Sequence, residues 1–501
     1  MPILTIWRAG TRARVAFEGT PLLGDVLLAH GFALRKPCGG RGLCLKCLVS
    51  AEGALSEATP AERAAGGRLA CQTRLLGDAT VSLAGERALQ NIAVSQALPC
   101  APVHPVPGEY ALAIDVGTTT LAGVLIAPGA GRMLASASMD NPQCAVAADV
   151  IGRIASALDG QGARLQQMLA GALDRLTAQL CQSAGISPDL IAHAVIAGNT
   201  TMLYLLSGRS PEPLSHAPFD ADCLFGCDVT GAQLGLDALK DARIYLPPCL
   251  SAFVGADISC GVLASGMRAP GKTHLLIDIG TNGEIALWTG GALTCTATAA
   301  GPAFEGGEIR MGVGSVVGAV DRVWLEADAI RFTTIGEGAP VGICGSGLLD
   351  AAATLVKTGA IEDTGAMKAA AQIAPSVFLY PEDVRNLQLA KSAIAAGLLT
   401  LCQVSSVSMR DIDALFIAGG FGQHVNLQSA ADIGLIPRAL IPRTKTLGNA
   451  SLSGALMLLL DDRQRGALEA FSRDARTVAL SGSAAFCENY LDAMMLEPLE
   501  D

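Results

Sequence analysis

Two places in this chain run from an apolar strand into nearly the same turn, and that recurrence constrains the fold more than any other feature. The first is Tyr110–Ile114 leading into Asp115-Val116-Gly117-Thr118-Thr119-Thr120; the second is His274–Ile277 leading into Asp278-Ile279-Gly280-Thr281-Asn282-Gly283-Glu284. Returning strands follow at Leu121–Ile126 and Ile285–Trp288. Each copy closes on a strand ending in Ala-Gly, at Ala194-Val195-Ile196-Ala197-Gly198-Asn199 and at Ala414-Leu415-Phe416-Ile417-Ala418-Gly419-Gly420-Phe421-Gly422. With helical stretches expected at about 145–158 and 163–184, the pattern points to two duplicated α/β lobes facing one another across a cleft. Asp to closing Gly spans 83 residues in the first copy and 141 in the second, so the second holds about 58 more. A cap or partner-binding insertion is expected within 295–380.

The turns have a chemistry of their own. Backbone N–H groups at Gly117 and Gly280 are unhindered, and the hydroxyls of Thr118, Thr119 and Thr281 can clasp phosphate oxygens. A carboxylate beside each turn, Asp115 or Asp278, can hold Mg²⁺ through water or orient a water for attack on a γ-phosphate. Glu284 is a further candidate base or Mg²⁺-shell ligand, although a capping role is the plainer reading. Asn199 closes the first copy and either faces the cleft or is a buried structural Asn. Gly419, Gly420 and Gly422 would let a base and ribose lie directly on the backbone, where side chains would clash.

A second signature lies near the N-terminus. Cys38-Gly39-Gly40-Arg41-Gly42-Leu43-Cys44-Leu45-Lys46-Cys47 gives C-x5-C-x2-C, and Cys71 follows. Four thiolates can hold a 2Fe–2S cluster, three from one loop and the fourth from a separate segment, with the glycines letting N–H groups approach the sulfurs. Zinc would normally show two C-x2-C pairs, and only one is present. Around this loop, residues 3–8 and 12–17 alternate as strands, Leu22–His30 has helical spacing, and Leu48–Ser50 and Ala79–Leu83 read as strands. Four prolines within Pro99–Pro107 favour an extended, semi-rigid spacer of about 28 Å at most, along which the first domain could swing. The organisation expected is a domain over 1–88, a Pro-rich linker over 89–108, and lobes over 109–271 and 272–501.

Composition narrows the function classes. Half of the residues are hydrophobic and 16% are charged, which excludes disorder. A net charge of −11 with 4% aromatic residues argues against nucleic-acid binding through a basic field or base stacking. Residues 1–88 carry 11 Lys and Arg against 7 Asp and Glu, a net of +4, whereas the remainder carries 24 against 39, a net of −15. The basic part could dock weakly on the acidic body. No apolar run approaches the roughly 18 residues of a membrane helix, and no leader is evident, so no membrane association and a cytoplasmic location are expected.

The cysteine set makes residues 1–88 resemble a 2Fe–2S ferredoxin domain of β-grasp form. The paired turns resemble the acetate-and-sugar-kinase, heat-shock-protein and actin superfamily, whose lobes are ribonuclease H-like. Together with Asn141-Pro142-Gln143, Ala252-Phe253-Val254-Gly255-Ala256-Asp257, Ala300-Gly301-Pro302-Ala303-Phe304-Glu305-Gly306, Ile343-Cys344-Gly345-Ser346-Gly347 and Ala390-Lys391-Ser392-Ala393-Ile394, the whole chain is similar to the reductive activators of corrinoid proteins. That resemblance implies a β-grasp domain, a Pro-rich linker and two actin-like lobes. It also implies Cys38, Cys44, Cys47 and Cys71 as cluster ligands, with Asp115, Gly117, Thr118 and Thr119 in the first phosphate motif. Asp278, Gly280, Thr281 and Asn282 form the second, and Gly419, Gly420 and Gly422 the adenosine motif.

The implied task is an ATP- and Mg²⁺-dependent return of one electron from the cluster to the Co(II) centre of a corrinoid protein in a methyltransferase system. A low-potential electron donor and a homodimer come with the resemblance. Thr296-Ala297-Thr298 is the candidate partner-facing segment. Two alternatives stay open: an ATP-coupled electron-injecting activator of another low-potential enzyme, or a redox- and nucleotide-sensing regulator.

Overall fold

The computed structural model describes residues 1–8, 11–32, 34, 40, 42, 46–83, 98–420 and 425–499. In the N-terminal region, alternating apolar residues build a five-stranded sheet ordered Thr11–Ala16, Ile3–Arg8, Leu75–Leu83, Leu48–Leu55, Arg68–Leu69. Ile3–Arg8 and Leu75–Leu83 run parallel at its centre, with Leu4 opposite Ala79 and Ile6 opposite Val81. Helix Leu23–Ala29 presents Leu23, Val26 and Leu27, spaced i, i+3, i+4, to the apolar core of this region. This is the β-grasp arrangement expected.

One buried carboxylate locks this region. Glu62 is the third residue of helix Pro60–Ala65 and is 1% exposed. It accepts from the Thr59 amide (2.6 Å), the Leu69 amide (2.8 Å), the Thr73 hydroxyl (2.6 Å) and Arg68 Nε (3.2 Å). The first bond completes a capping box, and the others pin the turn that carries Cys71. Burial alone would raise the Glu62 pKa, but these bonds, that from Thr73 foremost, outweigh it and hold the value at about 2.

Residues 110–246 and 273–448 contain the duplicated architecture. In the first lobe Tyr110–Val116, Thr120–Ala127 and Arg132–Asp140 form an antiparallel meander, and Ile191–Gly198 and Arg243–Leu246 add in parallel on the other side of Tyr110–Val116. The second lobe repeats this order with Thr273–Ile279, Gly283–Thr289 and Leu293–Thr298, then Ala414–Ala418 and Thr444–Gly448. The expected helix over 145–158 begins later, at Val150–Ser156, because the Asp149 side chain caps the Gly152 amide. Between Leu293–Thr298 and helix Pro381–Val404 lie a three-stranded sheet (Ala329–Thr334, Ala319–Glu326, Gly342–Ile343), helix Gly345–Lys357 and the hairpin Ala371–Ala374/Val377–Leu379.

The lobes are joined by crossed helices. Ala256–Ser265 follows the last strand of the first lobe and reaches Thr273–Ile279 of the second. Ala450–Leu460 follows Thr444–Gly448 of the second and lies on Tyr110–Val116 and Ile191–Gly198 of the first. The two helices pack on each other at Gly454, where a Cβ would stand 2.2 Å from the Cys260 carbonyl oxygen.

Three expectations require correction. The Pro-rich segment is not a free spacer: the Val103 amide donates to Leu460 O (3.0 Å), the Val106 amide to Leu459 O (2.9 Å), and the Asp462 amide to His104 O (2.8 Å). Val106 is 3% exposed in the core shared by the lobes, so this segment is a strap. Thr296-Ala297-Thr298 does not offer its hydroxyls outward: it lies in Leu293–Thr298, with the Thr296 hydroxyl bonded to Val478 O and the Thr298 hydroxyl to Gly283 O. Finally, helix Pro381–Val404 is long and apolar enough by length and composition to cross a membrane, yet 78% of its apolar window is buried inside the protein.

Two outcomes follow. Val106→Asp buries an unpaired carboxylate and is expected to lower the melting temperature of the full chain by several degrees; an unchanged calorimetric transition would show that the strap contributes nothing. Glu62→Gln should speed hydrogen exchange at the Leu69 amide roughly tenfold or more. The folded pKa of Glu62 is depressed, so its stabilisation is full above about pH 4.5 and is lost as pH falls toward about 2. The difference between parent and variant should therefore shrink over that window.

Candidate functional site

The cysteine segments come first. Cys38 and Cys44 lie outside the described residues, so the structure speaks to Cys47 and Cys71, both buried. Pairing of Leu48 with Leu69 and a bond from the Ala70 amide to Cys47 O (3.0 Å) bring them onto neighbouring backbone. Gly40 has φ +83°, and a Cβ there would be 3.8 Å from that of Cys71. Gln72 Nε2 donates to Gly40 O at 2.7 Å, clasping the loop to the second segment. One loop and one separate strand end are thus joined, as four-thiolate ligation of a 2Fe–2S cluster requires.

The cleft between the lobes encloses about 550 Å³. Its lining includes Asp115, Gly117, Thr118, Thr119, Asn199, Asp278, Gly280, Thr281, Asn282, Glu284, Gly419 and Gly420. Gly422, with Phe421, lies outside the described residues. The two turns meet: Thr119 Oγ1 and Thr281 Oγ1 are 3.5 Å apart. At Gly117 a Cβ would stand 2.6 Å from Thr120 O, and at Gly419, with φ +97°, 2.5 Å from Ile279 O and 2.9 Å from Asp278 Oδ1. Both positions need glycine on steric grounds.

The carboxylates differ by lobe. Asp278 sits directly opposite Glu284 in the antiparallel hairpin, whereas Asp115 faces Ala122. Asp115 is instead gripped from the other lobe by Asn449 Nδ2 (2.8 Å) and Ser451 Oγ (2.8 Å), at the start of helix Ala450–Leu460. Asp257, in the first turn of Ala256–Ser265, completes the group, and its approach depends on Gly255, where a Cβ would meet Asn199 Cα at 2.4 Å. Burial raises the pKa of Asp257 to about 7, helped by the charge of Asp115. Burial, then the charges of Asp257, Asp115 and Glu305, raises that of Asp278 to about 8. Burial and the neighbours Asp257 and Asp278 push Glu284 well up, and burial raises Asp115 against the two bonds it accepts. Glu305 accepts from Thr281 Oγ1 at 3.0 Å, while its Oε2 is buried without a hydrogen-bond partner.

Asn199 does both things weighed for it. It lines the cleft, and its side chain accepts from the Met202 amide (3.0 Å) while donating to Thr118 Oγ1 (3.0 Å). Sequence reasoning passed over Asp257, Glu305, Asn449 and Ser451 as site residues. The first two sat within quoted segments; the last pair carried no local signal, since they meet Asp115 across more than 330 positions.

The chain has relatives. Residues 8–76 match the 2Fe–2S iron–sulfur cluster binding domain, residues 110–270 the RACo middle region, and residues 272–500 the C-terminal domain of RACo, the ASKHA domain. It is 32% identical over 413 residues to the corrinoid activation enzyme RamQ of Eubacterium limosum, covering 76% of this chain and 69% of that one. A reductase of the Co(II) methylated amine-specific corrinoid protein from Methanosarcina barkeri is 26% identical over 303 residues, 54% of this chain and 56% of that one. The solved structure of a reductive activator for a corrinoid, iron–sulfur protein superposes with a TM-score of 0.74 at 25% identity, covering 99% of both chains. The chain belongs to the family of reductive activators of corrinoid proteins.

Proposed function

We propose that this chain is an ATP-dependent reductive activator. It passes one electron from a 2Fe–2S cluster to the Co(II) centre of a corrinoid protein and so restores Co(I) for methyl transfer. The observation that carries this reading is the meeting of two phosphate-type turns over a buried carboxylate group in a chain that also brings Cys47 and Cys71 together. Cys38, Cys44, Cys47 and Cys71 are the proposed ligands, and the cluster, when bound, supplies a one-electron carrier refilled by a low-potential donor.

The residues of the cleft divide the remaining work. Backbone N–H groups near Gly117 and Gly280, with the hydroxyls of Thr118, Thr119 and Thr281, bind the phosphates, while Asn282 holds Glu284 by a side-chain hydrogen bond. The flat backbone of Gly419 and Gly420 receives the adenosine. Among the described residues no three His, Cys, Asp or Glu side chains stand close enough to cage a metal alone. Asp115, Asp257 and Asp278 would therefore hold Mg²⁺ through water, with phosphate oxygens as its direct ligands. Glu284 or Asp278 orients the attacking water. The partner is a corrinoid protein of a methyltransferase system, and a homodimer is the proposed assembly.

The test mixes the reconstituted chain with a Co(II) corrinoid protein, a low-potential one-electron reductant and Mg-ATP. Co(I) absorbance should grow only when ATP is present. Asp278→Asn is expected to slow that growth about 100-fold or more with the cluster spectrum unchanged; full activity would remove Asp278 from the mechanism. The raised pKa values of Asp257 and Asp278 add a pH signature. The ligand-free cleft holds protons near neutrality, so its stability falls as pH rises from about 4 toward 8. Mg-ADP favours the ionised form and should raise the melting temperature more at pH 8 than at pH 6. Equal gains at both would contradict the assignment of these carboxylates to the metal.

A further inference from the structure

The first phosphate turn is braced from behind by a cation that no site motif points to. Arg153, in helix Val150–Ser156, has no exposed surface. Its Nη2 donates to Thr118 O at 2.5 Å and approaches Cys144 Sγ at 3.3 Å. Nη1 donates to Gln143 Oε1 (3.1 Å) and contacts Met202 Sδ (3.1 Å), and Nε donates to Ala147 O (3.1 Å). The neighbouring carbonyl, Gly117 O, accepts from Asn141 Nδ2 at 2.9 Å. Every donor direction of the guanidinium meets a neutral acceptor; the carboxylates that favour its charge, Asp149 and Glu305, act from beyond ion-pair distance. Burial of a charge without a direct ion pair is costly, and an anion bound nearby would offset that cost. A bond onto Thr118 O also polarises the 118–119 peptide and strengthens the Thr119 N–H as a donor.

We propose that Arg153 is a positioning residue for nucleotide phosphates: it fixes the Thr118–Thr119 peptide and lends its positive charge, through that peptide, to a bound polyphosphate. This rests on the reading of the cleft as an ATP site. It assigns the asymmetry between lobes, since the second turn is backed by the carboxylate of Glu305 where the first is backed by a guanidinium. The polyphosphate end therefore leans on the first turn.

Calorimetric binding of AMP, ADP and Mg-ATP to the full chain tests this with Arg153→Met and Arg153→Lys. In Arg153→Met the loss should grow with phosphate number, from under threefold for AMP to about thirtyfold or more for Mg-ATP. Arg153→Lys keeps the charge, so its ratio of ATP to AMP affinity should stay within about threefold of the parent. Equal loss for all three nucleotides would mark Arg153 as a structural brace alone and overturn the proposal, as would no loss. Should Arg153→Met fail to fold, a tenfold or larger fall of that ratio in Arg153→Lys would overturn it instead. Absence of any nucleotide binding by the parent chain is a different result, which sinks the ATP reading itself.

Discussion

The crossing of helices Ala256–Ser265 and Ala450–Leu460 is the contact on which the rest of the molecule depends. Each helix follows the last parallel strand of its own lobe and packs on a strand of the other, so the inner face of each sheet is covered in part by its partner's helix. Gly454 permits the approach, since its missing side chain leaves room for the Cys260 carbonyl. Burial on both sides of this crossing gives one continuous apolar core containing residues of both lobes, Ala111, Val195, Leu276 and Phe416 among them. A rigid joint at the base leaves the cleft as the place where the lobes can part or close.

The same crossing brings two helix N-termini to the floor of the cleft. Asn449 caps one, and Asp257 stands in the first turn of the other. Helix N-termini favour negative charge, which makes a group of buried carboxylates tolerable there. Tolerable is not satisfied: Asp257 and Asp278 still retain protons near neutrality because burial and mutual repulsion exceed that help. Asp115, Asp257 and Asp278 would hold a divalent cation best in their ionised form, which would offset their mutual repulsion. The turns at Thr119 and Thr281, whose hydroxyls are 3.5 Å apart, stand over this group.

Much of this was legible in the sequence because it is local. A strand, a turn and a returning strand lie within 18 residues, Tyr110 to Ala127 in the first copy, so Asp115, Gly117, Asp278 and Gly280 announce themselves, as does the cysteine loop. What escaped is set by distance along the chain or by competing local preferences. Asn449 and Ser451 meet Asp115 only after the second lobe has folded. Glu62 and Arg153 look like ordinary surface charges on short helices; burial alone reveals the first as a lock on the Cys71 turn and the second as a brace. The proline run suggested an extended spacer, and it is extended, but the residues between the prolines keep their N–H groups and use them on helix Ala450–Leu460. Thr296 and Thr298 look available in a polar stretch, yet strand alternation turns both inward.

The strap changes how the two halves can communicate. A cluster-bearing region on a free tether would reach the lobes only by diffusion, and its basic charge would merely bias the encounter. With residues 103–106 paired to the end of Ala450–Leu460, the tether starts instead from the lobe joint itself. Lys46, inside the cysteine motif, donates to Gly312 O of the second lobe. One to three residues further along, Val313, Gly314 and Ser315 line the cleft, and the Val313 amide is bonded to Ile343 O beside Cys344 and Gly345, which line it too. A shift of Gly314 or Ser315 would be felt two or three residues away, at the carbonyl that accepts from Lys46. The cleft lining and the segment that carries Cys47 are thus joined by a backbone path only a few residues long.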